Sequence, residues 1–446
     1  MILLINPSPS IKSPWGESRK IPPLGLAYLA GALEKAGFQV EILDNYLLKH
    51  SIEHVKRKIE KLNPEIVGIS CSSVAYSQCI ETARAVKEVA PFCKVVVGGP
   101  HPSFMPSTLL QHPEIDYAVL GEGEQSIVKL ASIIIKNRKS SKIATVPGIA
   151  YKHNGKIREN APRFIVDLDE IPYPALHLLP MHLYDRAIEY LSVKPVEIMN
   201  VVRGCPYECT FCEVKRLWGP VCRAFSPNRV VGEIEHLINA YHSKGIYFIG
   251  DNFTIQKKRI IEMCKLIKKY KLDIEWVCDA RVDSISRELL REMKSAGCRT
   301  IWFGVESGSP RIMKKVNRGI TLQQVVQAFK LCKEEGIHTA GSFMLGIPGE
   351  TINEMKATFK LARKLNPDWC QFNIFIATPG SNLYGEVIQK KLYENTESFV
   401  AYVKTDEFDY NLLMDIQRQF HRRFNISLKR ILKKLGQREF WLFRKL

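Results

Sequence analysis

Short apolar runs alternate with stretches of helical period along most of the chain, and that alternation leaves few options besides a parallel α/β fold. Over residues 1–137 the runs are Ile2–Ile5, Val40–Leu43, Ile66–Ser70, Val95–Val97 and Tyr117–Leu120. Helical patterns separate them: one opens at Pro22-Pro23-Leu24-Gly25 and closes at Gly37, others cover 51–62 and 77–90, and the last begins near Glu124. Units of this length, joined by right-handed crossovers, predict a doubly wound, flavodoxin- or Rossmann-like sheet with helices on both faces. Ligands of such sheets sit beyond the C-terminal strand ends. The loops there are small and polar: Ser70-Cys71-Ser72-Ser73, Gly98-Gly99-Pro100-His101 and Gly121-Glu122-Gly123-Glu124. Three such loops on one edge predict a binding site.

Residues 138–195 read as a connector, with a hairpin turning at Asn154-Gly155 and a Pro-rich stretch from Ile171 to Pro180. A second α/β series fills 196–385, with strands near 197–202, 246–250, 274–279, 300–305, 340–346 and 370–376. Six units fall short of the eight of a closed barrel, so an open, partial (β/α)6 barrel is expected. Residues 386–446 are expected to be helical and basic. From Gln417 to Leu446 ten Lys or Arg stand against one Glu, about half of the chain's net +18. Phe420, Phe424, Leu428, Ile431 and Leu435 make an apolar stripe there, and Phe440, Trp441 and Phe443 follow it. Such a stripe fits a peripheral contact with an anionic membrane, or equally a packing face.

No apolar run approaches a membrane span, and the start has neither a basic n-region nor a small-residue cleavage site. The expected location is the cytoplasm, with membrane association left open at the C-terminal segment. Of twelve cysteines, nine are scattered through strand-like and helix-like segments and read as reduced, largely buried thiols. The exception is Arg203-Gly204-Cys205-Pro206-Tyr207-Glu208-Cys209-Thr210-Phe211-Cys212, just after the first strand of the second series. Three thiolates within eight residues can wrap one iron–sulfur cluster. A structural zinc would want a fourth ligand, and neither Cys222 nor His236 has the spacing. Three ligands on a 4Fe–4S cluster leave one iron open.

Cys205, Cys209 and Cys212, with Phe211 before the last, match the CxxxCxxC signature, so the sequence resembles the radical S-adenosylmethionine (SAM) superfamily. The resemblance implies that SAM chelates the open iron and that an electron cleaves it to methionine and a 5′-deoxyadenosyl radical. It also implies a SAM site at the strand ends: Phe211, Asp251, Asn252, Arg281, Glu306, Ser307, Ser342, Gly346, Ile347 and Pro348. The whole layout resembles the branch with a cobalamin (B12)-binding domain that contains the anaerobic magnesium-protoporphyrin monomethyl ester cyclase. The shared segments include Pro22–Gly25, Gly98–His101, Gly121–Glu124, Arg203–Pro206 and Gly304–Gly308. Ser70, Ser72, Gly98, Gly99, His101, Gly121 and Glu122 would then border cobalamin. The Asp-x-His-x-x-Gly segment that carries a cobalt-ligating imidazole in many cobalamin proteins is missing; Asp44-Asn45-Tyr46 stands there instead.

The expected reaction is cobalamin-dependent methylation of an unactivated carbon in a small or lipid-like molecule. Radical cyclisation, oxidation or carbon–carbon coupling is the alternative. An external donor such as flavodoxin or ferredoxin would supply the electron. A nucleic-acid substrate is disfavoured, because RNA-modifying relatives bring a second cluster and a small C-terminal barrel.

Overall fold

The computed structural model describes residues 1–8, 21–137, 140–188, 190–250, 252–397 and 399–426. The first sheet contains β1 (Ile2–Asn6), β2 (Val40–Asp44), β3 (Ile66–Ser70), β4 (Lys94–Gly98) and β5 (Tyr117–Val119), all parallel, in the order β2-β1-β3-β4-β5. The order reverses between β1 and β3, so the crevice beyond their C-terminal ends is where such a sheet takes a ligand. Its strands bury both faces, and alternate residues divide between two cores. Leu3, Ile5, Val67, Ile69, Val95 and Val97 face one layer of helices, while Ile2, Leu4, Ile66 and Val96 face the other.

The hairpin belongs to this sheet and not to a free connector. β6 (Ile149–His153) pairs antiparallel with β5, and β7 (Lys156–Glu159) closes the edge. Antiparallel addition needs only a register match along the open edge of β5, which no local pattern announces. The Pro-rich stretch then straps across helix 24–35. Ala175 N–H donates to Ala27 O at 2.9 Å, and a Cβ on Gly31 would lie 2.5 Å from Tyr173 O.

The second sheet has six parallel strands in sequential order, an open partial barrel. They are β8 (Val196–Asn200), β11 (Gly245–Ile249), β12 (Glu275–Ala280), β13 (Cys298–Glu306), β14 (His338–Leu345) and β15 (Trp369–Ile374). Between β8 and β11 a two-stranded ribbon, β9 (Val202–Arg203) with β10 (Arg223–Ala224), closes the loop that carries the three spaced cysteines.

The C-terminal region is helical, as expected, and also carries strands. β16 (Ile376–Ala377), β17 (Tyr393–Glu397) and β18 (Val400–Val403) form a small antiparallel sheet, and helices cover 382–389 and 410–425. β18 is buried along its length, so its Val-Ala-Tyr-Val run answers to burial and not to helix propensity. Phe420 and Phe424 pack inward: Phe420 stacks on Phe359 with centroids 4.5 Å apart, and both touch Phe372. This half of the stripe is therefore a packing face. Leu428, Ile431, Leu435, Phe440, Trp441 and Phe443 lie outside the described residues.

Candidate functional site

The cysteine loop is held on three sides by backbone hydrogen bonds. Cys205 N–H donates to Gly219 O (3.2 Å), Thr210 N–H to Val316 O (3.0 Å), and Leu383 N–H to Thr210 O (2.9 Å). Cys205, Cys209 and Cys212 are half-buried, whereas eight of the other nine cysteines are buried free thiols. Among the described residues no group of three or more His, Cys, Asp or Glu side chains is gathered tightly enough to hold one metal ion. Thiolates that share a four-iron cluster need no such convergence, while a tetrahedral zinc does.

Basic groups surround the loop. Arg281, at the end of β12, lays its guanidinium 3.6 Å from the centre of the Tyr207 ring and forks onto Asp283 at 2.9 and 3.0 Å. That fork engages Nε and Nη2, and Nη1 is left buried without a partner. Sequence reasoning missed Arg318. Its Nη1 is 3.5 Å from Cys209 Sγ and its Nη2 donates to Gly304 O at 3.0 Å, with the Glu306 carboxylate 3.5 Å away. Nothing in the local pattern separates Arg318 from Lys314 and Lys315 in the same basic run. Glu306 is buried with φ at +71°; burial raises its pKa against the lowering pull of Arg318 and Arg281.

The remaining expected SAM residues divide. Asn252 is buried with φ at +74°, and neither end of its amide has a protein partner. Ser342 accepts from Asn373 Nδ2 at 2.9 Å. Phe211 packs on the rim of the core. Ser307 is engaged inside the protein, by Ser309 N–H and the Thr358 hydroxyl. The Gly346 and Ile347 N–H groups both donate to the buried Glu350 carboxylate, at 2.8 and 3.2 Å, and Pro348 follows on the same turn. Asp251 lies outside the described residues.

Between the two sheets opens a largely apolar cavity of about 320 Å³. Ser70, Gly98, Gly99 and Gly121 line it from the first domain, and Asn200, Arg203, Leu217, Trp218 and Ile249 from the second. Its floor, with Leu4, Gly68 and Val96, passes under the sheet's helix 24–35 side. Gly68 keeps that floor open, since a Cβ there would press within 2.6 Å of Leu4. Three polar atoms of lining residues are buried without a partner: Tyr28 Oη, Asn200 Oδ1 and Arg203 Nε. Buried polar groups are rarely left so, and a ligand with matching donors and acceptors would satisfy them.

Three expected cobalamin residues sit elsewhere. Ser72 does not line the cavity. His101 is fully buried, with Nδ1 2.9 Å from the Ser73 hydroxyl and Nε2 2.9 Å from the Thr108 hydroxyl, so neither ring nitrogen is free for cobalt. Glu122 turns away to accept from Ile165 N–H and to pair with Arg203 and Arg223. Asp44, at the position of the missing motif, is saturated by Asn6, Leu47 N–H and the Tyr184 hydroxyl.

Comparison with known proteins accounts for this arrangement. The radical SAM superfamily model matches residues 199–362, and the B12 binding domain model matches residues 19–131. An uncharacterized methyltransferase of Pyrococcus horikoshii is 38% identical over 373 residues, covering 83% of this chain and 79% of that protein. The anaerobic magnesium-protoporphyrin IX monomethyl ester cyclase of Rubrivivax gelatinosus is 33% identical over 413 residues, covering 90% and 73%. Two solved structures share the fold. The cobalamin-dependent SAM radical enzyme OxsB, with aqua-cobalamin bound, superposes with a TM-score of 0.78 at 18% identity over 99% of this chain and 72% of its own. The radical SAM methyltransferase TsrM of Kitasatospora setae gives 0.71 at 20% identity over 87% and 74%. The chain is an enzyme of the radical SAM superfamily, in the group that carries an N-terminal B12-binding domain.

Proposed function

We propose that this enzyme methylates an unactivated carbon of a small molecule, using a 4Fe–4S cluster, SAM and cobalamin. The observation that carries the reading is the interdomain cavity, lined by the ligand edge of the first sheet and by Arg203, Leu217 and Trp218, which belong to the two arms of the loop that carries Cys205, Cys209 and Cys212. The cofactors, when bound, supply a 5′-deoxyadenosyl radical and a transferable methyl group, chemistry that no side chain provides. The chain's own part is to hold and screen. Cys205, Cys209 and Cys212 would ligate the cluster, and Arg318 would donate to the Cys209 sulfur. Asn252, with its amide unpaired, and Arg281, with Nη1 unpaired, would receive the polar end of SAM. Ser70, Gly98, Gly99 and Gly121 would border cobalamin, with Gly68 and the apolar floor admitting one limb of it. Apolar walls keep water from reactive species.

The relatives named as methyltransferases include one acting on cytidylyl-2-hydroxyethylphosphonate, and the named methylases include a hopanoid C-3 methylase. Both favour methyl transfer over cyclisation. The electron would come from a one-electron carrier such as flavodoxin or ferredoxin. No helix among the described residues is long and apolar enough to cross a membrane.

Anaerobic reconstitution with iron, sulfide and hydroxocobalamin, followed by metal counting and reaction with SAM and dithionite, tests the reading. The expected result is one cluster and one cobalt per chain, with 5′-deoxyadenosine formed and lost in Cys205→Ala. A full cluster with no retained cobalt would overturn the methylation reading in favour of cyclisation or coupling. Absence of SAM cleavage would remove both.

A further inference from the structure

The ribbon that closes the cysteine loop ends in two arginines, and both reach across to a single loop of the other domain. Arg203, on β9, donates Nη2 to Glu124 at 2.5 Å and Nη1 to Glu122 at 3.4 Å. Arg223, its cross-strand partner on β10, pairs with Glu122 at 2.8 Å. Arg203 is 3% exposed, lies 4.8 Å from the Trp218 ring centre and approaches Tyr28 from the opposite domain. Two cations and two carboxylates are thus sealed between domains. Apolar residues of the same volume could fill that space at no loss of stability, so burial of the pairs asks for a further reason.

The reason lies in where Arg203 stands. It is a wall of the interdomain cavity, its Nε has no partner there, and it precedes Cys205 by two residues. Gly204 between them takes φ +84° and leaves no room for a side chain against Val221 O. The backbone from Arg203 to Cys205 is therefore tightly constrained, and a shift of one is felt by the other. We propose that Arg203 is a positioning residue that couples occupancy of the cavity to the order of the cluster loop. A ligand acceptor on Nε completes the guanidinium's hydrogen bonds in the arrangement where Glu122 and Glu124 hold it, and that arrangement fixes Cys205. Coupling of this kind is reciprocal: an assembled cluster raises affinity in the cavity by the same factor.

This inference rests on the reading that the cavity takes cobalamin, and one experiment separates the two. Reconstituted protein, with and without hydroxocobalamin, is mixed anaerobically with the ferrous chelator bathophenanthroline, and iron release is timed for wild type, Arg203→Met and Glu124→Gln. Cobalt retained after gel filtration is counted first. No cobalt on the wild type refutes the cofactor reading, and the inference falls with it. With cobalt bound, cobalamin should slow wild-type iron release by about fivefold or more, the lower end of ordinary site-to-site coupling. In both variants the slowing should shrink to less than half of its wild-type factor although cobalt still binds. A purely structural role would speed release equally with and without cobalamin and leave the ratio unchanged, which would overturn the proposal. Should Arg203→Met not assemble a cluster, Glu124→Gln, which keeps the side-chain shape, decides by the same ratio.

Discussion

Gly204→Ala should cost the protein its cluster before it costs the fold. Gly204 has φ +84°, and a Cβ would press on the Val221 carbonyl while lying 3.0 Å from the carbonyl oxygens of Gly219 and Trp218. An alanine pays about 1–2 kcal/mol for the left-handed backbone and about 1–3 kcal/mol for the overpacking, about 2–5 kcal/mol together. All three carbonyls belong to the far arm of the cysteine loop, so relief comes from spreading that loop. Spreading breaks the 3.2 Å bond from Cys205 N–H to Gly219 O and moves the first thiolate. The matched control is Gly155→Ala at the hairpin turn, where φ is +73° and nothing lies within 4 Å of the added methyl. It loses only the backbone part, about 1–2 kcal/mol. Iron counts and low-temperature EPR after reconstitution, alongside thermal melts, read both effects. Gly204→Ala should hold less than half of the wild-type iron with a modest change in melting, and Gly155→Ala should hold it all. Full iron and an unchanged spectrum in Gly204→Ala would refute the reasoning.

Arg318→Gln removes a charged donor at the Cys209 sulfur; losing about 1.5–3 kcal/mol of preference for the more negative, reduced cluster lowers its potential by about 60–130 mV. Potentiometric EPR reads this, and an unshifted midpoint excludes the contact from the cluster's electrostatics. Burial pushes Glu350 up to about 7, so its folded pKa exceeds the unfolded one. Its contribution, on the order of 3 kcal/mol, is complete below about pH 4.5 and is lost as pH rises through 7. Urea midpoints should show this slope flattened in Glu350→Gln, and an equal slope in both proteins counts against it. His101 runs the opposite way: burial lowers it to about 4, so its contribution is present above pH 6.5 and lost on acidification toward 4. His101→Gln should remove that acid limb. The cobalt(II) EPR of wild-type holoenzyme should carry no splitting from this imidazole; a splitting lost in His101→Gln would contradict the internal hydrogen bonds to Ser73 and Thr108.

Much of the molecule is legible locally. The five parallel strands of the first sheet and the six of the second appear near the runs that mark them, because strands buried on both faces must be apolar throughout. The cysteine triad is equally local: a loop of eight residues can present three thiolates whatever surrounds it. The strand-end positions of Asn252, Arg281 and Glu306, and the place of Ser342 within β14, follow from the same periodicity. What each side chain meets does not. Ser307 and Glu122 look like Ser342 and Ser70 in sequence, yet Ser307 faces Thr358 and Glu122 faces two arginines. Arg318 reaches Cys209 across 109 residues, a distance no pattern encodes.

The sequence by itself determined the two α/β series, the spaced cysteine triad and the family it points to, because each rests on spacing within one strand, one helix or one loop. The tertiary structure alone decided that the hairpin extends the first sheet, that β18 is a strand, and that His101 is a hydroxyl-bound core residue. It also decided that Arg203, Glu122 and Glu124 join two domains beside one cavity. Those outcomes depend on which surfaces meet when both sheets are packed, and burial and charge pairing over such separations are properties of the assembled fold.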